Sequence, residues 1–297
     1  MLRRKLHVLN ISLLTLLLAA LGARAVADTT LPKGLRVFIA GHSFHMPIVQ
    51  PLDQIARSAG IPGHKIAGKQ GIGGSTVTQH WDRPDSTNEA RKAIRAGEVD
   101  VLTLSPNRLL PDPAIAKFTA LLLEHNANGR VTVQASWFPL DGPGNDKSFK
   151  NAQRDTADPT LFRKTWAPMT EKVRDQVKEL NAKFAAQYQR PVVFVVPVGD
   201  AVIRLRERVV KGEVPGIAKQ SDLFRDDLGH GKAPISLLTA YCHYAVIYGR
   251  NPTGLPTPEA LKSAGLGENT DKVNRVLQEV AWEAVMAEPL SGVKPIK

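Results

Sequence analysis

The chain has 297 residues, of which 43% are hydrophobic and 23% are charged, and its formal net charge is +11. This composition excludes a disordered chain and provides enough apolar side chains for the core of one large α/β domain. The lysines and arginines are scattered among acidic residues, with no run interleaved with aromatic residues, so nucleic-acid binding is disfavoured.

The first 27 residues have the pattern of a secretory signal peptide. Basic residues at 3–5 precede a mostly apolar stretch at 8–21, which is too short for a membrane-spanning helix, and small residues then allow cleavage after Ala25 or Ala27. We therefore expect a secreted or periplasmic protein in which residues 28–297 form a single domain. An uncleaved N-terminal anchor is the alternative. No later stretch is apolar and long enough to predict a membrane span.

The remaining chain alternates between strand-like and helix-like segments. Strand-length apolar runs lie at 35–40, 64–68, 99–104, 131–136 and 192–198, the second being the weakest. Helical spacing is found at 51–59, 88–96, 113–125, 170–189, 235–248 and 271–287. The single cysteine, Cys242, lies in one of these apolar helical runs and is expected to be buried. The alternation predicts an α/β fold with a mainly parallel sheet covered by helices on both faces.

Glycines and polar residues follow the first three predicted strands. Ser43 comes after the first, a stretch ending in Gly74 and two hydroxyl residues comes after the second, and Asn107 comes after the third. Ligands bind at the carboxyl ends of parallel strands, so these residues are candidates for a functional site. Taken singly, each has a simpler explanation: Ser43 as a helix N-cap, the glycines as a flexible turn, and Asn107 as a turn or cap.

A fourth signal lies before the helix predicted at 235–248. Asp227 precedes His230 by three residues in a loop that contains glycine, and a carboxylate so placed can orient an imidazole, as in a Ser–His–Asp triad. The same spacing also occurs by chance.

A metal site is a competing hypothesis, because five histidines lie in the N-terminal half of the chain. No carboxylate or cysteine shares their spacing as a recognisable ligand set, so we expect no metal. These histidines are His42, His45, His64, His80 and His125.

Taken in this order, a serine, a glycine, an asparagine and an Asp-x-x-His pair resemble the motif blocks of the SGNH hydrolases, also called GDSL esterases or lipases. The resemblance extends from about residue 35 to residue 249. It implies a flavodoxin-like three-layer α/β/α sandwich with a mainly parallel sheet. It also implies a serine hydrolase that cleaves carboxylic esters through an acyl-enzyme and needs no cofactor.

The resemblance also implies a role for each matched residue. Ser43 would be the nucleophile, His230 the general base and then acid, and Asp227 the residue that orients His230. The oxyanion hole would consist of the Ser43 and Gly74 N–H groups and the Asn107 side chain. The implied partner is a small ester or an acylated polysaccharide, with removal of acetyl groups as the expected reaction, and the oligomeric state stays open.

The chain departs from the family pattern at three positions near these residues. His42 stands where the family has the aspartate of Gly-Asp-Ser, Ser105 replaces the glycine of Gly-x-Asn, and Arg108 stands where aspartate is frequent. The departures motivate an alternative, a catalytically weak or inactive carbohydrate-binding or scaffold protein of the same fold. His45 is expected to line the pocket or cap the following helix.

Overall fold

A single sheet of parallel strands organises the chain in a computed structural model, which describes residues 31–144 and 146–294. Within these residues the sheet has five strands in the order β2-β1-β3-β4-β5. The strands are β1 (Arg36–Gly41), β2 (Lys65–Gly71), β3 (Val101–Leu104), β4 (Arg130–Gln134) and β5 (Val193–Val196). The signal peptide predicted at 1–27 and the first residues of the predicted domain lie outside the described residues.

The described residues also form nine α-helices. They are α1 (Val49–Ser58), α2 (Val77–Trp81), α3 (Glu89–Arg95), α4 (Pro113–His125), α5 (Thr160–Tyr188), α6 (Val198–Val210), α7 (Ala233–Tyr248), α8 (Glu259–Lys262) and α9 (Thr270–Ala287). None of the helices in the described part of the chain is long and apolar enough to cross a membrane. The described residues from Pro32 onward belong to one compact unit.

Alternating side chains of the sheet bury two separate cores. On β1, Val37 and Ile39 pack against the layer that contains α1, α6, α7 and α9, whereas Phe38 and Ala40 pack against the layer that contains α3 and α4. Both sets are buried because a strand covered on its two faces has no solvent side. The expected α/β/α sandwich with a parallel sheet is confirmed, and Cys242 is buried within α7 as expected.

The sequence-based elements differ from the structure mainly in one region. The predicted fifth strand ends early, since Pro197 interrupts it and α6 begins at Val198; this helix was not predicted. Helix α5 begins at Thr160, ten residues before the predicted start, and its first turns bury Phe162 and Trp166. These two rings pack into the core of the opposite layer, so they do not continue the apolar stripe that predicted the later turns.

The strand order places three loops together at one edge of the sheet. The order reverses at β1 and β3, which lie side by side although β2 follows β1 in the chain. Gly41 at the end of β1 is level with Gly71 of β2, and Ala40 is level with Leu104 of β3. The loops that follow these strands therefore meet at the point where doubly wound sheets bind ligands.

A buried carboxylate holds two helices at this edge. Asp112 is fully buried and accepts hydrogen bonds from the Val77 N–H (2.7 Å), the Thr78 N–H (3.1 Å) and the Thr78 hydroxyl (2.7 Å) at the start of α2. It also accepts from the Ala114 N–H (3.0 Å) at the start of α4. One side chain thus caps two N-termini, whose free N–H groups favour a negative charge.

We expect Asp112→Ala to lower the free energy of unfolding by about 2–4 kcal/mol, because it leaves several buried donors without an acceptor. Urea denaturation would measure this. Asp175→Ala is the control, since Asp175 is exposed on α5 and forms an ion pair with Lys178, and its effect should stay below about 0.5 kcal/mol. Equal effects of the two variants would contradict this role of Asp112.

Candidate active site

Ser43 lies on the turn that leaves β1. The N–H groups of His45 and Met46 both donate to the His42 carbonyl, at 2.9 and 3.0 Å, and a short 3-10 helix, Met46–Ile48, then leads into α1. Ser43 is not the N-cap of either helix. Its hydroxyl oxygen instead lies 2.9 Å from Nε2 of His230, which is 187 positions away in the chain. The turn therefore presents the hydroxyl to an imidazole.

The carboxylate that contacts His230 belongs to Asp226. Its Oδ2 lies 2.7 Å from His230 Nδ1, and its Oδ1 accepts hydrogen bonds from the N–H groups of Gly229 and His230, both at 3.0 Å. Burial opposes ionisation of Asp226, but the hydrogen bonds from His230 and Gly229 outweigh it, so the pKa of Asp226 lies below its ordinary value. Asp226 is thus an anion held against Nδ1, which places the acceptor nitrogen Nε2 towards Ser43.

The expected contact between Asp227 and His230 is not made, and the position is corrected to Asp226. The Asp227 carboxylate accepts a hydrogen bond from the Asn151 N–H at 2.8 Å and lies 3.2 Å from Nζ of Lys150. The cause is the turn at Gly229, where φ is +97°, a left-handed conformation that favours glycine. This turn folds His230 back over Asp226 and leaves the Asp227 side chain on the outer side.

Side chains from elsewhere in the chain hold the His230 loop in place. The Arg154 guanidinium donates to the carbonyls of Asp227 (3.0 Å) and Asp226 (3.4 Å), and the Trp137 indole N–H donates to the carbonyl of Gly229 (3.0 Å). No sequence pattern indicated Arg154 or Trp137, because neither belongs to a recognisable motif. Their role depends entirely on tertiary contacts.

Aromatic packing further restricts the imidazole. The rings of Phe44 and Trp137 are stacked, with centroids 4.6 Å apart and an interplanar angle of 6°. The edge-to-face contact between Phe44 and His230 has a centroid distance of 5.2 Å and an angle of 85°. Such pairs are stabilising beyond their buried area. Phe44 directly follows Ser43, so the same turn positions the hydroxyl and packs against the imidazole.

The residues expected to form an oxyanion hole lie around the same pocket as Ser43. Gly74 has a φ of +62°, and the Asn107 side-chain amide donates one hydrogen to its carbonyl at 2.6 Å, which leaves the second amide hydrogen available. Among the described residues, the N–H groups of Ser43 and Gly74 donate to no other protein group. Three donors thus remain for a ligand.

The pocket beside Ser43 has a volume of about 290 Å³ and mostly apolar walls. Apart from Ser43, it is lined by His42, Phe44, Gly74, Pro106, Asn107, Arg108, Ser136, Trp137, Phe138, Pro139, Met169 and Leu228. Burial lowers the pKa of His42 to about 4, so its ring is neutral at physiological pH.

Two of the three departures from the family pattern contact each other. His42 Nδ1 accepts a hydrogen bond from the Phe44 N–H (3.3 Å), and its Nε2 lies 2.9 Å from the Ser105 hydroxyl oxygen. Because Nδ1 is an acceptor, Nε2 carries the proton and donates it to Ser105. The hydroxyl groups of Ser105 and Ser136 are 3.4 Å apart, and Gln134 donates to Ser136 at 2.6 Å. These four side chains therefore form a buried polar network that is hydrogen-bonded to the Ser43 turn at Phe44.

Three of the other histidines in the N-terminal half are buried and hydrogen-bonded at separate places, whereas His125 is exposed at the end of α4. His64 Nδ1 lies 2.6 Å from the Tyr248 hydroxyl, and His80 Nε2 lies 2.8 Å from the Ser75 hydroxyl. His45 occupies the N-cap position of the Met46–Ile48 3-10 helix, although its side chain makes no capping hydrogen bond. It does not line the Ser43 pocket; it is fully buried, with Nε2 2.8 Å from the Thr103 hydroxyl. In the part of the chain that the structure describes, no group of three or more potential ligands could hold a metal ion.

We expect the contact between His42 and Ser105 to produce coupling of about 0.5–1.5 kcal/mol in a double-mutant cycle. The cycle would compare the free energies of unfolding of His42→Ala, Ser105→Ala and the double variant in urea. Ser86→Ala, on the exposed surface, should be additive with His42→Ala. Additivity of His42→Ala and Ser105→Ala would show that the contact stabilises neither residue.

We also expect the protein to lose stability in mild acid. Burial lowers the pKa of His42 and His80 to about 4 and that of His243 to about 3, whereas the unfolded values are near 6.5. Below pH 6.5 the unfolded state therefore binds protons that the native state does not, and stability falls as the pH falls towards 4.

The slope is about 1.4 kcal/mol per pH unit for each such histidine, so urea denaturation at pH 5 should give an unfolding free energy about 5–6 kcal/mol below that at pH 7. His243→Gln should reduce this difference. An unfolding free energy that does not change between pH 7 and pH 5 would contradict the neutral state of the buried rings.

No protein-family model matches the chain, and neither does any curated protein. Solved structures with a similar fold are found. A DUF4886 family protein from Bacteroides uniformis has 16% identity and a TM-score of 0.54, with 89% of this chain and 98% of that chain covered. At this identity the similarity shows the fold alone.

Two further similar structures have lower TM-scores. A candidate SGNH hydrolase from Slackia heliotrinireducens has 16% identity and a TM-score of 0.41, with 71% of this chain and 98% of that chain covered. A candidate GDSL-like lipase from Parabacteroides merdae has 15% identity and a TM-score of 0.45, with 74% and 98% covered. What the comparisons show for this chain is the fold, an α/β architecture with a five-stranded parallel sheet.

Proposed function

We propose that this protein hydrolyses carboxylic esters through an acyl-enzyme on Ser43. The observation that supports this most directly is the continuous relay from the Ser43 hydroxyl to His230 Nε2 (2.9 Å) and from His230 Nδ1 to Asp226 (2.7 Å). The relay ends in an apolar pocket at the carboxyl edge of a doubly wound sheet. A serine, a base and a residue that orients the base are the parts that nucleophilic catalysis requires.

In the proposed reaction, Asp226 holds the His230 tautomer in which Nε2 accepts the Ser43 proton as Oγ attacks the ester carbonyl. The negative charge that develops on the carbonyl oxygen would be bound by the Ser43 and Gly74 N–H groups and the Asn107 amide. His230 then protonates the leaving alcohol, and water hydrolyses the acyl-enzyme by the same steps. None of these steps calls for a metal ion or an organic cofactor.

Export and the natural substrate are narrower parts of the proposal. The N-terminal sequence at 1–27 favours a secreted or periplasmic enzyme, and an exported esterase of this type would act on small esters or on acylated polysaccharide. Removal of acetyl groups from polysaccharide rests on the family resemblance. Acetate released from acetylated polysaccharides, measured against the Ser43→Ala variant, would test it.

The alternative of a carbohydrate-binding or scaffold protein depends on the departures at His42, Ser105 and Arg108. Since His42 and Ser105 contact each other, they do not count as two independent losses of active-site residues. The intact relay and the available oxyanion donors favour the enzyme. Covalent labelling by a fluorophosphonate separates the two functions, because only an activated serine reacts.

We expect Asp226→Asn to lower kcat/KM for p-nitrophenyl acetate by about 10³–10⁴-fold, because an amide does not fix the required tautomer of His230. Asp227→Asn is the matched control, since Asp227 is the adjacent carboxylate and contacts Lys150 and Asn151 instead. Its effect should stay within about threefold.

Ser43→Ala should abolish both hydrolysis and fluorophosphonate labelling. A larger loss of activity in Asp227→Asn than in Asp226→Asn would overturn the assignment of the carboxylate. A folded wild-type protein that neither hydrolyses the ester nor becomes labelled would overturn the proposed function itself.

A further inference from the structure

We propose that the ester substrate carries an anionic group, which Arg108 binds, beside an apolar portion that occupies the pocket. This inference rests on the proposed ester hydrolysis and adds the class of substrate.

Most of the pocket surface has no hydrogen-bonding group to offer a ligand. Its walls include six large apolar or ring-containing side chains, namely Phe44, Trp137, Phe138, Pro139, Met169 and Leu228. The indole N–H of Trp137 is already used by the Gly229 carbonyl. Pockets of this composition bind an apolar body and fix its orientation through a few polar groups.

Arg108 has the single formal charge among the described residues that line this pocket. It is exposed, and no carboxylate of the described chain lies within ion-pair distance of it. Several other arginines form ion pairs, as Arg174 does with Glu288 and Arg204 does with Asp200. The acids nearest to the relay are also occupied, since Asp226 binds His230 and Asp227 binds Lys150. The guanidinium is therefore available for a ligand anion.

The position of Arg108 links this charge to the reacting ester. Arg108 directly follows Asn107, whose side chain is bonded to Gly74, so its backbone is anchored beside two of the proposed oxyanion donors. An anionic group bound by Arg108 would lie near the ester that Ser43 attacks. A planar guanidinium binds carboxylate in a bidentate manner, which favours a carboxylate-bearing substrate.

The test compares esters that differ in one carboxylate. The first pair has the charge on the acyl side: the p-nitrophenyl monoester of glutaric acid and the same compound with its free carboxyl methylated. The second pair has it on the alcohol side: 4-acetoxybenzoate and its methyl ester. Wild-type protein at low ionic strength should prefer the anionic member of at least one pair by about 3–10-fold in kcat/KM, and salt should reduce the preference.

Four variants show whether Arg108 causes the preference. Arg108→Gln should abolish it by slowing the anionic ester more than the neutral one, Arg108→Lys should retain part of it, and Arg108→Glu should reverse it. Arg275→Gln is the matched control, because Arg275 is an exposed arginine on α9 that does not line the pocket. Equal losses for charged and neutral esters in Arg108→Gln would mean that Arg108 acts on the oxyanion, and the inference would be overturned.

Binding to a Ser43→Ala variant separates failure of this inference from failure of ester hydrolysis. Calorimetric titration should show tighter binding of 4-acetoxybenzoate or glutarate monoester than of the matching neutral ester, with the difference lost when Arg108→Gln is added. That result supports the anion site even without turnover. Equal binding of charged and neutral members in both pairs overturns it, whether or not Ser43 hydrolyses esters.

Discussion

Asp141 lies buried between the guanidinium groups of Arg154 and Arg206, and this ion cluster determines where the His230 loop can lie. Its Oδ1 accepts from Arg154 Nε at 3.1 Å, and its Oδ2 accepts from Arg206 Nη2 at 2.8 Å. Both arginines are fully buried, and removing one member of such a cluster leaves an uncompensated charge that costs about 3–5 kcal/mol. The remaining Arg154 donors bind the Asp226 and Asp227 carbonyls, so the cluster and the loop form one unit.

The backbone at Leu140 and Asp141, next to this ion cluster, has a strained conformation. Leu140 and Asp141 have φ values of +55° and +56°, a left-handed conformation that costs non-glycine residues about 1–2 kcal/mol each. The two ion pairs stabilise Asp141 in this conformation, and the Leu140 N–H donates to the Leu228 carbonyl of the His230 loop at 3.0 Å. The strained segment therefore makes a second contact with the His230 loop, through the Leu140 N–H.

The sequence predicts those parts of the molecule that have a periodic or local cause. Five helices and all five strands follow from spacing to within about three residues, because burial on one or two faces imposes that spacing. The position of His230 opposite Ser43 follows from the family pattern. The choice between Asp226 and Asp227 does not, since both carboxylates precede His230 in the same loop and only the left-handed turn at Gly229 decides which one folds back. Arg154 has no local signal at all, because its partners are set by the folded chain.

The departures from the family pattern at positions 42 and 108 both make the site more positive. Relative to an aspartate, the neutral ring of His42 removes one negative charge, and Arg108 shifts the formal charge by two units. The contact between His42 and Ser105 shows how the first change is accommodated: an imidazole donates to a hydroxyl, which glycine at 105 would not supply. A carboxylate at 42 would have no proton to donate at neutral pH.

A more positive site favours an anionic group of a substrate bound in it. It also opposes the positive charge that His230 acquires when it accepts the Ser43 proton. Asp226 offsets that effect through its direct contact with Nδ1, whereas Arg108 lines the pocket from the loop that carries Asn107. The two charges therefore act on different groups: Asp226 stabilises the imidazolium, and Arg108 remains free to interact with the substrate.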